Sequence, residues 1–190
     1  QLHKLMSISR WKKIKSREYH KNPFWTYKID DFIIPSTGFK GVYYYVHTTG
    51  SSMIIPVTEN NTLLLVKQYR YLNKKFSLEF PCGGVKEGAT PEDTALLELR
   101  EETGYSAESL ENVGKFCPFN GVTDEYCHVY LAQKLVKSPK RADDTEEISL
   151  HELTLDDFEQ MVDKGVIFDG MTLAAWSIGK KKLFRTLGIV

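Results

Sequence analysis

The stretch "EFPCGGVKEGATPEDTALLELREETGY", residues 79–105, decides the fold and most of the chemistry of this chain. It holds a proline–glycine loop, then a helix rich in acidic residues, then a glycine. Residues three or four apart on a helix share a face. Three glutamates therefore converge: Glu98, Glu101 and Glu102. Because like charges repel, we expect either a cation among them or a solvated face on which Arg100 is a local partner.

The ends of this helix are well marked. Thr90 is suited to the N-cap, Pro91 to the first helical position, and Asp93 completes a capping box. Gly104 is a natural C-terminal stop. We expect four residues to form the inward stripe of the helix: Ala95, Leu96, Leu99 and Thr103.

Taken alone, the three carboxylates favour a solvated face, but the glycine loop, the helix cap and the glycine stop around them favour a hard divalent cation. Carboxylate oxygens are preferred ligands of Mg²⁺, which usually keeps waters and substrate phosphates in its shell, and Mn²⁺ is a possible substitute. Glycines after Cys82 allow close approach of the backbone, so a carbonyl of this loop is a candidate ligand. A cation held in this way polarises a phosphoryl oxygen and activates water, which indicates attack on a diphosphate.

Bulk composition excludes several classes of protein. The chain has 190 residues, 42% of them hydrophobic, and 25 basic residues balance 25 acidic ones. This neutrality argues against a nucleic-acid partner, and no apolar run is long enough for a membrane span. Three cysteines without CxxC spacing predict reduced thiols in a cytoplasmic protein. One basic cluster is interpreted as a solvated face: Lys12, Lys13, Lys15 and Arg17.

The rest of the chain mixes strands and helices without regular alternation. We expect strands near 24–34, 41–47, 52–70 (two strands and a turn), 110–117, 126–134 and 146–153, and helices near 155–164 and 171–186. Pro56 predicts that its strand lies at a sheet edge. The pattern indicates a mixed sheet with helices on both faces, with residues 1–50 as a small β unit and 51–190 as the main domain.

In register, residues 83–105 resemble the Nudix box, G-x5-E-x7-R-E-U-x-E-E-x-G-U, in which U is a bulky apolar residue. Ala89 stands where the family has glutamate, and Leu97 stands where it has arginine. The other fixed positions match: Gly83, Glu98, Leu99, Glu101, Glu102, Gly104 and Tyr105.

Segments outside the box, among them "VKQYRY", "LEFPCGG", "PFNGVTDEYCHVYLA" and "GVIFDGMTLAAW", resemble the ADP-ribose pyrophosphatase branch of this family. The resemblance implies a Nudix α/β/α sandwich and a homodimer built partly through the N-terminal β unit. It also implies a Mg²⁺-dependent hydrolase that cleaves ADP-ribose or another nucleoside diphosphate sugar into a nucleoside monophosphate and a sugar phosphate.

The resemblance assigns metal-binding and catalytic roles. Glu98 and Glu102 match the main metal carboxylates, and Glu101 matches an adjacent glutamate that supports the cation or its waters. The carbonyl of Cys82 stands where a backbone ligand is often found. Glu146, in the loop "DDTEEI", matches a glutamate near the attacking water, with Glu147 or Asp144 as alternatives.

It also implies substrate contacts. Arg70 matches an arginine that contacts phosphate. Glu79 is placed to bind a ribose hydroxyl or to brace the metal loop. Trp25 is a candidate platform for the base, as are Trp11, Phe24 and Tyr27, although each of these aromatic residues also suits the core or a dimer contact.

The two departures from the box leave two hypotheses. If a buried glutamate–arginine pair has been exchanged as a unit for apolar residues at positions 89 and 97, an active enzyme remains, because such whole-pair exchanges are often tolerated. The alternative is a catalytically impaired module that binds a nucleotide sugar or a protein partner.

Overall fold

The computed structural model describes residues 8–138 and 147–189, and it has a mixed α and β fold. The chain divides into two compact units. Residues 8–48 and 119–125 belong to the first unit, and the second contains the described residues among 49–118, 126–138 and 147–189.

The first unit is an antiparallel sheet of three strands in the order β1-β2-β3. They span Lys12–Lys21, Thr26–Ile34 and Phe39–His47. The sequence pattern does not predict β1, but the interpretation of its basic residues as a solvated face is confirmed. Every residue of β1 is exposed, so this strand lacks the alternation of buried and exposed residues that signals a strand.

The second unit contains a mixed sheet in the order β7-β4-β9-β8, in which β4 and β9 are parallel. In the order along the chain, these strands are β4 (Ser51–Pro56), β7 (Cys82–Gly84), β8 (Tyr105–Phe116) and β9 (Cys127–Lys137). An antiparallel sheet has the order β10-β5-β6, with β5 at Leu63–Arg70, β6 at Lys75–Glu79 and β10 at Ser149–Leu153.

Helices cover both faces of the mixed sheet. Along β4, Ile54 packs toward α1 (Pro91–Thr103), whereas Ile55 on the opposite face packs in the cluster that contains residues of α3 (Gly170–Leu187). The remaining helix is α2 (Leu155–Asp163). This alternation of side chains confirms the α/β/α sandwich that the sequence predicted.

Two details of the sequence analysis are wrong. β4 is an interior strand, although Pro56 predicted an edge. Proline is tolerated because β7 pairs with β4 only from Ser51 to Met53, so no β7 residue pairs with Pro56. Leu96 is 37% exposed, and the buried residues of α1 are Thr94, Ala95, Leu99 and Thr103.

The helix signals are confirmed. Thr90 is the N-cap of α1 and forms the capping box with Asp93, and Gly104 adopts the left-handed conformation at φ 74°. Within the described ranges, no helix is long and apolar enough to cross a membrane.

Candidate active site

The carboxylate face of α1 results from how the helix is packed. Ala95 and Leu99 are fully buried against the sheet and fix the rotation of the helix. The glutamates lie beside this apolar stripe and are half-buried: Glu98, Glu101 and Glu102. Burial on one side and water on the other is the environment in which carboxylates can hold a hydrated cation.

Glu102 is tied to β7 by its backbone. The N–H of Cys82 donates a hydrogen bond to Oε2 of Glu102 at 3.1 Å. A hydrogen bond to a charged acceptor is stronger than a neutral one, so this contact fixes the direction of the carboxylate. The strand and the helix are therefore joined at the centre of the predicted site.

Glu98 lies directly against Gly83. A Cβ built on Gly83 would lie 2.6 Å from Cγ of Glu98 and closer still to its carboxylate. A Cβ on Gly84 would meet no atom within 4 Å. The first glycine of the pair is thus needed because a helix carboxylate occupies the space where a side chain would stand.

The chemistry of these donors fits a hard divalent cation. Carboxylate oxygens beside a glycine cradle are suited to Mg²⁺ or Mn²⁺. Among the residues at 8–138 and 147–189, no group of three or more His, Cys, Asp or Glu side chains is placed to hold a metal ion. The joint binding of one cation by Glu98, Glu101 and Glu102 therefore stays a prediction.

Cys82 contributes to the site through its backbone. A hydrogen bond with Cys127, together with burial, raises the pKa of the Cys82 thiol well above its ordinary value. The thiol is therefore protonated at neutral pH, whereas a metal ligand or nucleophile is the thiolate. The predicted carbonyl ligand remains the role for Cys82 that this chemistry supports.

Arg70 and Glu79, predicted as separate substrate contacts, are paired with each other. Nε of Arg70 donates to Oε1 of Glu79 at 2.8 Å, and Nη2 donates to Oε2. Gln68 adds a longer contact of 3.3 Å to Oε2. The hydrogen bonds to Glu79 raise the pKa of Arg70, which stays positively charged.

Gln68 was not singled out from the sequence. It stands two residues before Arg70 on β5, and alternate residues of a strand share a face, so this spacing was a usable signal. The involvement of Gln68 becomes clear only once β5 and β6 are paired.

The aromatic candidates for base binding lie in the first unit. Trp25 is 39% exposed and packs edge-on against His20 at 6.1 Å. Trp11 stacks on Phe32 at 4.4 Å, so this ring has a packing role. The role of Trp25 as a stacking platform stays a prediction.

The loop predicted to assist the attacking water is only partly described. Glu146 and Asp144 lie outside the described residues. Glu147, the alternative that lies inside them, is exposed. The assignment among these three acidic residues stays a prediction.

The sequence model of the NUDIX domain matches residues 48–173. The chain belongs to the Nudix family. Its fold is shared with a crystal structure of an ADP compounds hydrolase, with a TM-score of 0.83 and 19% identity over 97% of this chain and 99% of that one. The family and fold predicted from residues 83–105 are confirmed.

Two relatives are similar in sequence. The methanol dehydrogenase activator of Bacillus methanolicus is 34% identical over 166 residues, which cover 86% of this chain and 89% of that protein. The ADP-ribose pyrophosphatase of Bacillus subtilis (strain 168) is 34% identical over 128 residues, 66% of this chain and 69% of that protein. The chain is thus an ADP-ribose pyrophosphatase-like member of the Nudix family.

The two departures from the Nudix box lie at one cleft. Ala89 precedes the N-cap of α1 and Leu97 lies about two turns into the helix, yet both line the same open cleft. Asp93 and Glu98 line it as well. This geometry agrees with an exchange of both positions as a unit.

Proposed function

We propose that the chain is a metal-dependent Nudix hydrolase that cleaves the diphosphate of ADP-ribose or a related nucleoside diphosphate sugar. The products are a nucleoside monophosphate and a sugar phosphate. The observation that carries the proposal is the carboxylate face of α1 held against β7, with Glu98 on Gly83 and Glu102 on the N–H of Cys82. The Bacillus subtilis relative named ADP-ribose pyrophosphatase supports the choice of substrate.

The residues of the chain divide the work. Glu98 and Glu102 would hold the cation, with Glu101 and the carbonyl of Cys82 as further ligands. When bound, Mg²⁺, or Mn²⁺ in its place, polarises a phosphoryl oxygen and lowers the pKa of a coordinated water. Arg70 contacts a phosphate and compensates its negative charge.

The resemblance to the family assigns the general base to Glu146, with Glu147 or Asp144 as alternatives. That carboxylate accepts a proton from the attacking water, whose oxygen forms a bond to one phosphorus of the diphosphate. The bond from that phosphorus to the bridging oxygen breaks. The bridging oxygen leaves with the other phosphate, so that one water is consumed for each diphosphate cleaved.

The test is product release from ADP-ribose and from ADP-, UDP- and GDP-sugars, with Mg²⁺ and with Mn²⁺. Glu102→Gln keeps an oxygen that can accept from Cys82 but removes the charge. We expect Glu102→Gln to lose several kcal/mol of transition-state stabilisation, which corresponds to a decrease in kcat/KM of about 10²-fold or more. The matched control is Glu108→Gln, an exposed glutamate on β8 that should change nothing. Equal rates in the two variants would contradict the proposal.

A second candidate function is a module that binds its nucleotide sugar or a protein partner with little turnover. Ala89 and Leu97, which replace the box glutamate and arginine, favour it. So does the Bacillus methanolicus relative, which is named as an activator of a dehydrogenase. Tight binding of one nucleotide sugar in isothermal titration, without products at any metal concentration, would favour this function over hydrolysis.

We further propose a cytoplasmic homodimer formed partly through residues 1–50, with Trp25 contacting the base. The support for the dimer is the sheet of the first unit, where Tyr19 is 74% exposed and Tyr44 is 58% exposed. Large exposed apolar side chains clustered on one unit are typical of interaction surfaces. Light scattering after size exclusion tests the dimer, and Tyr44→Glu should weaken it.

A further inference from the structure

We propose that Glu79 is a positioning residue, which holds the guanidinium of Arg70 so that its outer edge faces the substrate diphosphate. The inference rests on the proposed function, because it assumes a diphosphate at Arg70. It replaces the two roles predicted for Glu79 from sequence, a contact to ribose and a brace for the metal loop.

The first observation is the contrast in exposure across the pair. The side chain of Glu79 is 2% exposed, whereas that of Arg70 is 46% exposed. A pair that served only to neutralise a surface charge would not need one partner in the core. The buried carboxylate acts as a fixed anchor, and the exposed guanidinium is the part that a ligand can reach.

The second observation is the geometry of the contact. Nε and Nη2 of Arg70 donate to the two carboxylate oxygens of Glu79 as a fork. Two parallel hydrogen bonds fix both the position and the plane of a guanidinium. Arginine has five N–H donors, so the fork leaves the others on the outer edge for phosphate oxygens.

The third observation is that the chain next to Glu79 is fixed residue by residue. The N–H of Phe80 donates to Oγ1 of Thr172 at 3.2 Å, and the carbonyl of Pro81 accepts from the N–H of Ile54 at 2.9 Å. Cys82 then donates to Glu102. These hydrogen bonds therefore resist a shift of Glu79. Arg70 is held by Glu79, and Cys82 in the same short segment contacts the carboxylate helix.

The test is a double-mutant cycle on Glu79 and Arg70 in which kcat and KM for ADP-ribose are measured. The affinity of each variant for inorganic pyrophosphate is measured by isothermal titration in the presence of Mg²⁺. Glu79→Gln removes the charge and one acceptor but keeps the side-chain size. We expect both Glu79→Gln and Arg70→Gln to lower kcat/KM by about 10- to 100-fold, the range typical of a misplaced contact. The double variant should be no worse than Arg70→Gln alone.

Arg70→Lys covers the case in which Arg70→Gln does not fold because Glu79 is left buried and unpaired. Lysine keeps the charge but lacks the planar fork, so we expect a loss close to that of Arg70→Gln. The matched control is Glu111→Gln, which breaks the exposed pair of Glu111 with Lys182 at 2.8 Å and should leave kcat/KM unchanged.

The outcomes separate the inference from the proposed function. Wild-type kcat/KM in folded Glu79→Gln or in Arg70→Lys overturns the positioning role, and so do losses that multiply in the double variant. If the wild type turns over no substrate, the proposed function fails, and pyrophosphate affinity decides the inference. A weaker affinity in Glu79→Gln then supports it, whereas equal affinity, or no binding to the wild type, overturns it.

Discussion

The second unit holds its acidic side chains in two different ways. Glu79 is buried, and its charge is balanced by the guanidinium of Arg70. Glu98 and Glu102 are half-buried and lie against the backbone of β7. Glu98 packs on Gly83, and Glu102 accepts a hydrogen bond from the N–H of Cys82. Arg70 holds Glu79 by two charge-assisted hydrogen bonds, whereas the N–H of Cys82 donates one hydrogen bond to Glu102.

The difference separates two functions that a diphosphate site requires. The paired carboxylate of Glu79 holds the partly exposed guanidinium of Arg70, which is a positive group that a phosphate can reach. The carboxylates of Glu98 and Glu102 supply oxygen atoms of the kind that a divalent cation prefers. The Arg70–Glu79 pair therefore suits the anionic substrate, and the carboxylate face of α1 suits the metal.

Among the variants that test this comparison, Gly83→Ala should have the largest effect on activity. The added methyl group must displace the side chain of Glu98, because it would lie 2.6 Å from Cγ and nearer to the carboxylate. A misplaced ligand lowers the rate strongly, and we expect kcat for ADP-ribose with Mg²⁺ to fall about tenfold or more. Steady-state kinetics at several Mg²⁺ concentrations measure the change.

Gly84→Ala is the matched control, since its methyl group would enter open space. It should keep the kcat of the wild type. Both variants are compared by thermal unfolding, where a small-to-large change costs about 1–3 kcal/mol only if the surroundings are tightly packed. If Gly83→Ala were as active as Gly84→Ala, the glycine would not serve to admit Glu98.

The sequence of the carboxylate helix allowed α1 and its ends to be predicted, whereas the metal-binding roles of its glutamates stay predictions. Thr90, Asp93 and Gly104 mark the ends of α1 by local rules, which depend only on neighbours in the sequence. The convergence of Glu98, Glu101 and Glu102 follows from the period of the helix alone. These predictions needed no knowledge of which strands pair.

The contacts of Glu79 and the place of β4 could not be predicted in the same way. Glu79 meets Arg70 diagonally across the pair β5–β6, and its directly opposed residue is Val66. The position of β4 depends on which strands flank it, and the length of its neighbour β7 decides whether Pro56 is tolerated. Such contacts depend on register and sheet order, which single-residue preferences do not fix.

An intermediate effect is expected from Ala89→Glu with Leu97→Arg, which places an ion pair in the cleft that both residues line. Alone, Ala89→Glu adds a negative charge near Asp93 and Glu98 and should destabilise the fold. The arginine should offset this, with a coupling of about 0.5–3 kcal/mol measured by thermal unfolding of the two single variants and the double variant.

The same double variant tests whether the apolar pair replaced an ionic pair as a unit. If the pair was exchanged as a unit, we expect kcat/KM for ADP-ribose to change only a few-fold in the double variant, because the carboxylates of α1 are already held by β7. A gain of several orders of magnitude would show that the wild type is an impaired site. It would favour the binding module over the hydrolase.

The smallest effect should come from Cys82→Ala. The contacts that we assign to this residue belong to its N–H and carbonyl, which alanine retains. The thiol is held protonated by its hydrogen bond with Cys127 and by burial, which raise its pKa, so it carries no charge to offer a cation. Activity should match the wild type, with a loss of stability of about 1 kcal/mol in chemical denaturation.

Cys127→Ala is the control, because it removes the partner of the Cys82 thiol from a fully buried position. It should cost more stability than Cys82→Ala, since a fully buried side chain leaves a larger unfilled space. Its activity should also be that of the wild type. A fall in kcat of tenfold or more, about 1.4 kcal/mol, in Cys82→Ala alone would mean that the sulfur takes part in the site. Backbone support of the carboxylates would then not suffice, and the contrast with the arginine-held Glu79 would no longer hold.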